Sequence, residues 1–290
     1  MSRLGGGSLR IMPQTARILI VDDDPDIHGL LTAALASEGY AIESAYDGLQ
    51  GVARLESAAY DLVLTDVCMP GLDGLNLLHR IHEQCPETRV LVMTAQNTPE
   101  TVVSALKEKA FTFFSKPFST AAVVDMVDRA LQSRTGQDDI EVLSARADWI
   151  ALQLRCKLDI ADRLVPFFRE LNVGLTADEQ ENVAMAFREL LINAIEHGGH
   201  ADPEQKVQVA YIRTSRAINY LIRDPGKGFS FENLPHSAVS NAPDAPFGHA
   251  EVRDQLGMRP GGFGIFMTRQ MADEVIYNEE GNEVLLIKYV

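Results

Sequence analysis

Five short, mostly apolar runs alternate with stretches of helical period across residues 17–133, and this alternation narrows the choice of fold more than any other feature of the chain. The runs are 17–21 (RILIV), 41–45, 61–65 (DLVLT), 89–93 (RVLVM) and 111–114 (FTFF). Continuous apolar runs of this length suit strands buried on both faces of a parallel sheet. Helix-compatible stretches follow them at 25–37, 47–57, 73–84, 98–108 and 119–133. Strands and helices in alternation predict a doubly wound α/β domain with five parallel strands.

Ligands of such sheets sit at the carboxyl ends of the strands. Asp22 and Asp23 follow the first strand, Asp66 the third, Thr94 the fourth and Lys116 the fifth. Three carboxylates at one rim repel one another unless a cation neutralises them. Mg²⁺ suits hard oxygen ligands and shares its shell with water and phosphate oxygen. Thr94 can hydrogen-bond a phosphoryl oxygen, and Lys116 can offset its charge.

The motifs LIVDDDPD, LVLTDVCMPGLDG, VLVMTA and FFSKPF occur in this order. With them, residues 17–133 resemble a response-regulator receiver domain. The resemblance implies Asp66 as phosphoacceptor. It implies a Mg²⁺ site of Asp22, Asp23, the Asp66 carboxylate and the Cys68 backbone carbonyl. Thr94 and Lys116 then read the phosphoryl group, and Phe113, three residues before the lysine, holds the aromatic switch position. An upstream histidine kinase or phosphotransfer protein is the implied phosphoryl donor.

Residues 134–148 are polar, contain a glycine and lack an apolar period, so they are expected to be a linker between a receiver at 16–133 and a second domain at 149–290. A tether this short gives the two domains a high mutual effective concentration. Residues 1–15, with Gly5, Gly6 and Gly7, are expected to be a disordered leader without the apolar core of a signal peptide. The chain has 290 residues, a length that favours two domains, and a formal charge of −15. That charge disfavours a nucleic-acid partner, because a phosphate backbone wants a basic face. No stretch is long and apolar enough to span a bilayer. Three widely spaced cysteines, Cys68, Cys85 and Cys156, match neither a disulfide framework nor a zinc site, and point to the cytoplasm.

The second half has no GxxxxGK[ST] loop, so it is not read as a Walker-type NTPase. A strand is expected at 149–154, an amphipathic helix at 159–171, and a second helix from Thr176 that stops at Gly198-Gly199. In that second helix Glu189, Asn193 and His197 are spaced by four and are expected to share a face. Strands at 206–213 and 217–223 lead to DPGKGF, with Asp224, Gly226 and Gly228. Glycines there allow close backbone approach to a flat ligand. A proline-rich stretch at about 229–258 is expected to form a lid. Gly261, Gly262 and Gly264 then open a helix at 265–273, an arrangement suited to phosphate. Two last strands are expected at 274–278 and 283–289.

ELLINAIEHG, DPGKGF and the segment from GGFGIFM onward resemble the GHKL (Bergerat) ATPases, within them the anti-sigma-factor serine/threonine kinases. The fold implied is an α+β sandwich. The resemblance implies ATP as substrate, Asn193 on the Mg²⁺ that bridges its phosphates, and Glu189 as general base. It implies Asp224 as acceptor for the adenine amino group, and Gly226, Gly228, Gly262 and Gly264 as backbone room for the nucleotide. It further implies an anti-sigma antagonist as substrate, a sigma factor as target, and admits a homodimer. No histidine lies between His82 and His197, so the phosphoacceptor histidine of a sensor kinase is missing ahead of the ATP motifs. Two alternatives stay open: an ATP-binding module that sequesters a partner without phosphoryl transfer, and a histidine kinase acting on a histidine in trans.

Overall fold

The first sheet is built from strands that alternate with helices, most of them capped at their starts. In this computed structural model, residues 15–133, 139–228 and 264–290 are described. β1 (Arg17–Val21) is followed by α1 (Pro25–Ser37), β2 (Ala41–Ala45) by α2 (Gly48–Ser57), and β3 (Leu62–Asp66) by α3 (Gly74–Gln84). β4 (Arg89–Thr94) is followed by α4 (Pro99–Lys107), and β5 (Thr112–Ser115) by α5 (Thr120–Gln132). Asp24, Asp47, Asp73 and Thr98 each accept a hydrogen bond from a first-turn backbone N–H of the helix they precede. These side chains satisfy donors that a helix start leaves orphaned. Pro25 and Pro99 stand in the first turn, where no N–H is needed.

All pairings in this sheet are parallel, in the order β2-β1-β3-β4-β5. The order reverses between β1 and β3, and at such a switch point helices leave to opposite faces and open a crevice. Asp22 follows β1 and Asp66 ends β3, so both carboxylates are placed at that crevice. One apolar layer, with Leu31, Leu35, Val123 and Val127, covers one face of the sheet.

The second domain contains β6 (Ile140–Arg146), β7 (Trp149–Arg155), α6 (Asp159–Leu171), α7 (Ala177–Asn193) and a single π turn, Ala194–Gly198. β8 (Lys206–Arg213), β9 (Ala217–Arg223), α8 (Gly264–Met271), β10 (Glu274–Tyr277) and β11 (Glu283–Tyr289) complete it. Its sheet is antiparallel throughout, in the order β10-β11-β9-β8-β7-β6. Burial alternates along β7, β8 and β9, as expected of a sheet with one face on a core. That core contains Phe168, Phe187, Tyr211 and Tyr220, with ring centroids 4.8–5.9 Å apart. α7 begins with a reciprocal capping box between Thr176 and Glu179.

The expected linker over 134–148 needs correction. Ile140–Arg146 is an edge strand, paired antiparallel with β7 through a bulge. Its alternation is broken at that bulge, which explains why no clean period shows in the sequence. Residues 134–138 lie outside the described residues, as do 1–14 and the proline-rich stretch expected to form a lid.

The two domains share a core. α6 lies against β5 and α4, and Phe113 and Phe167 are both buried, their ring centroids 6.1 Å apart. The Thr112 hydroxyl donates to the Arg163 carbonyl at 3.3 Å, and the Arg163 guanidinium lies over the Phe111 ring, 4.4 Å from its centroid.

Candidate functional site

The acidic rim of the first domain is brought together as its strand ends predict. One carboxylate oxygen from each of Asp22, Asp23 and Asp66 falls within 4.8 Å of the others. Lys116 Nζ donates to Asp22 Oδ2 at 2.7 Å and lies 3.2 Å from Asp66 Oδ2. Asp22 and Asp66 are buried, and Asp23 is exposed. Burial pushes the Asp66 carboxyl up, as does the Asp22 charge, and Lys116 only partly opposes the rise. For Lys116, burial disfavours the ammonium, but the hydrogen bond to Asp22 and the two carboxylate charges prevail, and its pKa is raised. One ammonium against three carboxylates leaves a deficit of positive charge in a cluster of hard oxygen donors. The donor set and its charge fit Mg²⁺.

Thr94, fully buried at the end of β4, accepts from the Gln96 backbone N–H at 3.0 Å, and its hydroxyl lies 3.7 Å from Cys68 Sγ. The Val67 backbone N–H donates to Asp66 Oδ1 at 2.7 Å. Phe113, opposite Val92, is two register positions further in than Thr94, against α6 and away from solvent. The sequence missed His28. It is buried on α1, its Nε2 2.8 Å from the Asp22 carbonyl and its Nδ1 3.0 Å from Ser44 Oγ, and it braces the backbone of the rim. A histidine on an otherwise apolar helix face was the available signal.

In the second domain Glu189 and Asn193 lie one turn apart on α7, both half-buried. The Arg188 guanidinium is 3.8 Å from Glu189 Oε1. His197 follows Asn193 by four residues, within a π turn. The helix widens into a π turn, with Gly199 N–H donating to the Ala194 carbonyl at 2.9 Å, and His197 turns out to solvent. Such π insertions inside helices are frequent at functional sites.

Asp224 follows β9, where its backbone N–H donates to the Asn282 carbonyl and its carboxylate accepts from Gly226 N–H at 2.8 Å. Burial raises its pKa, and that one hydrogen bond opposes the rise. A Cβ on Gly198 would come within 2.3 Å of the Asp224 carboxylate, so this glycine does more than end a helix. Gly228 has a φ of +73°, and a Cβ there would stand 1.8 Å from the Glu280 carbonyl. The loop is thereby held against the β10–β11 turn, a placement only glycine allows. Gly264 opens α8 as expected, and Gly262 lies outside the described residues. The half-buried Asp224 and its glycine cradle fit a flat heterocycle with an amino donor.

Comparison with known proteins divides the chain in the same way. Residues 18–128 match the family described as the response regulator receiver domain, and residues 157–288 match the histidine kinase-like ATPase domain. The transcriptional regulator NtrC of Azospirillum brasilense is 38% identical over 133 residues, 46% of this chain and 28% of that protein. NtrX of Azorhizobium caulinodans is 38% identical over 118 residues, 40% of this chain and 26% of that protein. The chain thus spans between a quarter and a third of the length of these relatives. Among solved structures, a CheY-like receiver from Methanospirillum hungatei is 30% identical, with a TM-score of 0.40, over 41% of this chain and 94% of that one. The chain is therefore a response-regulator receiver domain followed by a GHKL-type, histidine kinase-like ATPase domain.

Proposed function

We propose that this two-component response regulator is phosphorylated on Asp66 and that its output domain is an ATP-dependent serine/threonine protein kinase of the anti-sigma-factor type. The observation that carries the first half is Lys116 held between Asp22 and Asp66 beside a buried Thr94. In the receiver, an Asp66 oxygen attacks the phosphorus of a phosphohistidine on an upstream kinase or phosphotransfer protein. The P–N bond breaks, a P–O bond forms, and the donor histidine leaves neutral after taking a proton. Lys116 holds the new negative charge, and Thr94 turns its hydroxyl to a phosphoryl oxygen. In the second domain Asp224 orients the adenine, and Glu189 takes the proton from an incoming hydroxyl as its oxygen bonds to the γ-phosphorus and ADP departs. Asp22, Asp23, Asp66 and the Cys68 carbonyl would hold one Mg²⁺, and Asn193 would hold another. When bound, the metal neutralises phosphoryl oxygens in both domains.

The proposed substrate is an anti-sigma antagonist protein, and the proposed target a sigma factor, in the cytoplasm. A protein target suits the −15 charge better than a nucleic acid does. The regulators named above match less than half of this chain and less than a third of their own length, so their output does not transfer to this one.

Transfer of γ-labelled phosphate from ATP to a candidate antagonist tests this directly. Acid-stable label that disappears in Glu189→Ala is expected. Acid-labile, alkali-stable label would instead indicate a histidine kinase acting in trans. Label that survives Glu189→Ala would remove Glu189 as the base.

A further inference from the structure

We propose that Glu170 is the residue through which the ATPase domain reads the state of the receiver. Its carboxylate latches α6 to the two receiver segments that carry Thr94 and Lys116, and phosphorylation opens the latch. The proposal rests on Asp66 as the phosphoacceptor.

Glu170 lies one residue from the end of α6, and its side chain is only 9% exposed. Its Oε2 accepts from Asn97 Nδ2 at 2.7 Å, and its Oε1 accepts from Ser115 Oγ at 2.9 Å. The neighbouring Arg169 guanidinium, 3.1 Å away, balances its charge. Asn97 stands three residues after Thr94, and Ser115 directly precedes Lys116. One carboxylate of the second domain therefore ties down both segments of the first that must respond to a phosphoryl group.

The β4–α4 turn is itself held through Thr94, whose hydroxyl oxygen accepts from Gln96 N–H. A Thr94 hydroxyl drawn to phosphorylated Asp66 gives up that position, and the turn that carries Asn97 loses its anchor. The Asn97 bond to Glu170 then has to stretch or break. At its other end α6 is fixed to the receiver by different means. Ser133 Oγ donates to Asp159 Oδ2 at 2.6 Å, Arg129 pairs with Asp162, and Arg163 Nε donates to the Phe111 carbonyl. These contacts lie away from the acidic rim and make that end a pivot. The helix spans roughly 20 Å at 1.5 Å per residue, so release at Glu170 swings one end about the other. The swing reaches the nucleotide half by two short links. Asn172, buried just beyond α6, accepts from the Tyr220 hydroxyl at 2.6 Å. Asp162 at the pivot accepts from Arg188 Nε at 2.7 Å, next to Glu189.

A latch that must open opposes phosphorylation, so cutting it makes the receiver easier to activate, by the reciprocity of coupled sites. The test titrates the full chain with beryllofluoride and Mg²⁺, reading occupancy by fluorine NMR, and repeats a titration with a fluorescent ATP analogue at zero and saturating beryllofluoride. Native protein, Asp66→Asn, Glu170→Ala and Asn97→Ala are compared. Asn97 is an exposed loop residue, so its variant keeps the test valid if Glu170→Ala folds poorly. Expected are beryllofluoride binding about five- to tenfold tighter in both latch variants, and a beryllofluoride effect on nucleotide affinity that collapses towards none. Native-like beryllofluoride affinity and native-like coupling in both variants would overturn the latch while leaving Asp66 in place. Absence of beryllofluoride binding to the native chain, or equal binding to Asp66→Asn, would overturn the assignment of Asp66, and the latch with it.

Discussion

Lys116 is the residue on which the receiver rim depends. Among the described residues it is the one cation in an ion pair with the buried pair Asp22 and Asp66, and its side chain is itself largely enclosed. Removing one partner of a buried ionic cluster leaves charge uncompensated, at a cost of about 3 kcal/mol or more. Lys116→Met is therefore expected to lower stability by about 3 kcal/mol in urea unfolding with EDTA present. Added Mg²⁺ should recover part of that loss, because an ion bound only by the folded state stabilises it. Asp224 gives a prediction in pH. Its ionised carboxylate is the stronger acceptor for an adenine amino group, and burial raises its pKa. ATP affinity is then full above that raised value and falls as pH drops through it. Asp224→Asn, titrated with a fluorescent ATP analogue, should bind more weakly and lose this dependence. A native chain whose affinity falls on acidification no more than that of Asp224→Asn would contradict the role given to Asp224.

Among the elements, those with a strong local signal were legible in the sequence. Most of the receiver strands are apolar runs of the right length, and four of the five helices begin at Asp or Thr caps. Strand ends place ligands, so Asp22, Asp66, Thr94 and Lys116 could be grouped before any coordinates. β6 was not legible, because a bulge breaks its alternation and its partner β7 supplies the order. The π turn Ala194–Gly198 was not legible either, because such a turn has no sequence signal comparable to a cap. The partners of Glu170 were equally hidden, since Asn97 and Ser115 are 73 and 55 residues away along the chain. α6 also presents an apolar face that sequence showed without its destination: Phe167 packs on Phe113 of β5. Phe167→Ala is expected to cost about 3 kcal/mol and to separate the denaturant unfolding of the chain into two transitions. A single transition displaced by less than about 1 kcal/mol would show that this contact does not join the domains.

At the scale of the whole molecule, one hydrophobic cluster runs from the receiver strands into the ATPase domain. The receiver's β5 and α4 are covered by α6 rather than left to solvent. Any change at the Asp66 rim that alters this face has to move α6 or strain against it, and interfaces of this kind switch between discrete arrangements. On the proposed kinase reading, the sign of control follows from which arrangement opens the way to Glu189. The account is tested most directly by measuring ATP-dependent labelling of a candidate antagonist with and without beryllofluoride on Asp66. It predicts acid-stable label whose rate changes with beryllofluoride in the native chain, and no such change in Asp66→Asn. Tight ATP binding with no transfer under either condition would contradict kinase activity and leave nucleotide-dependent sequestration of a partner as the function.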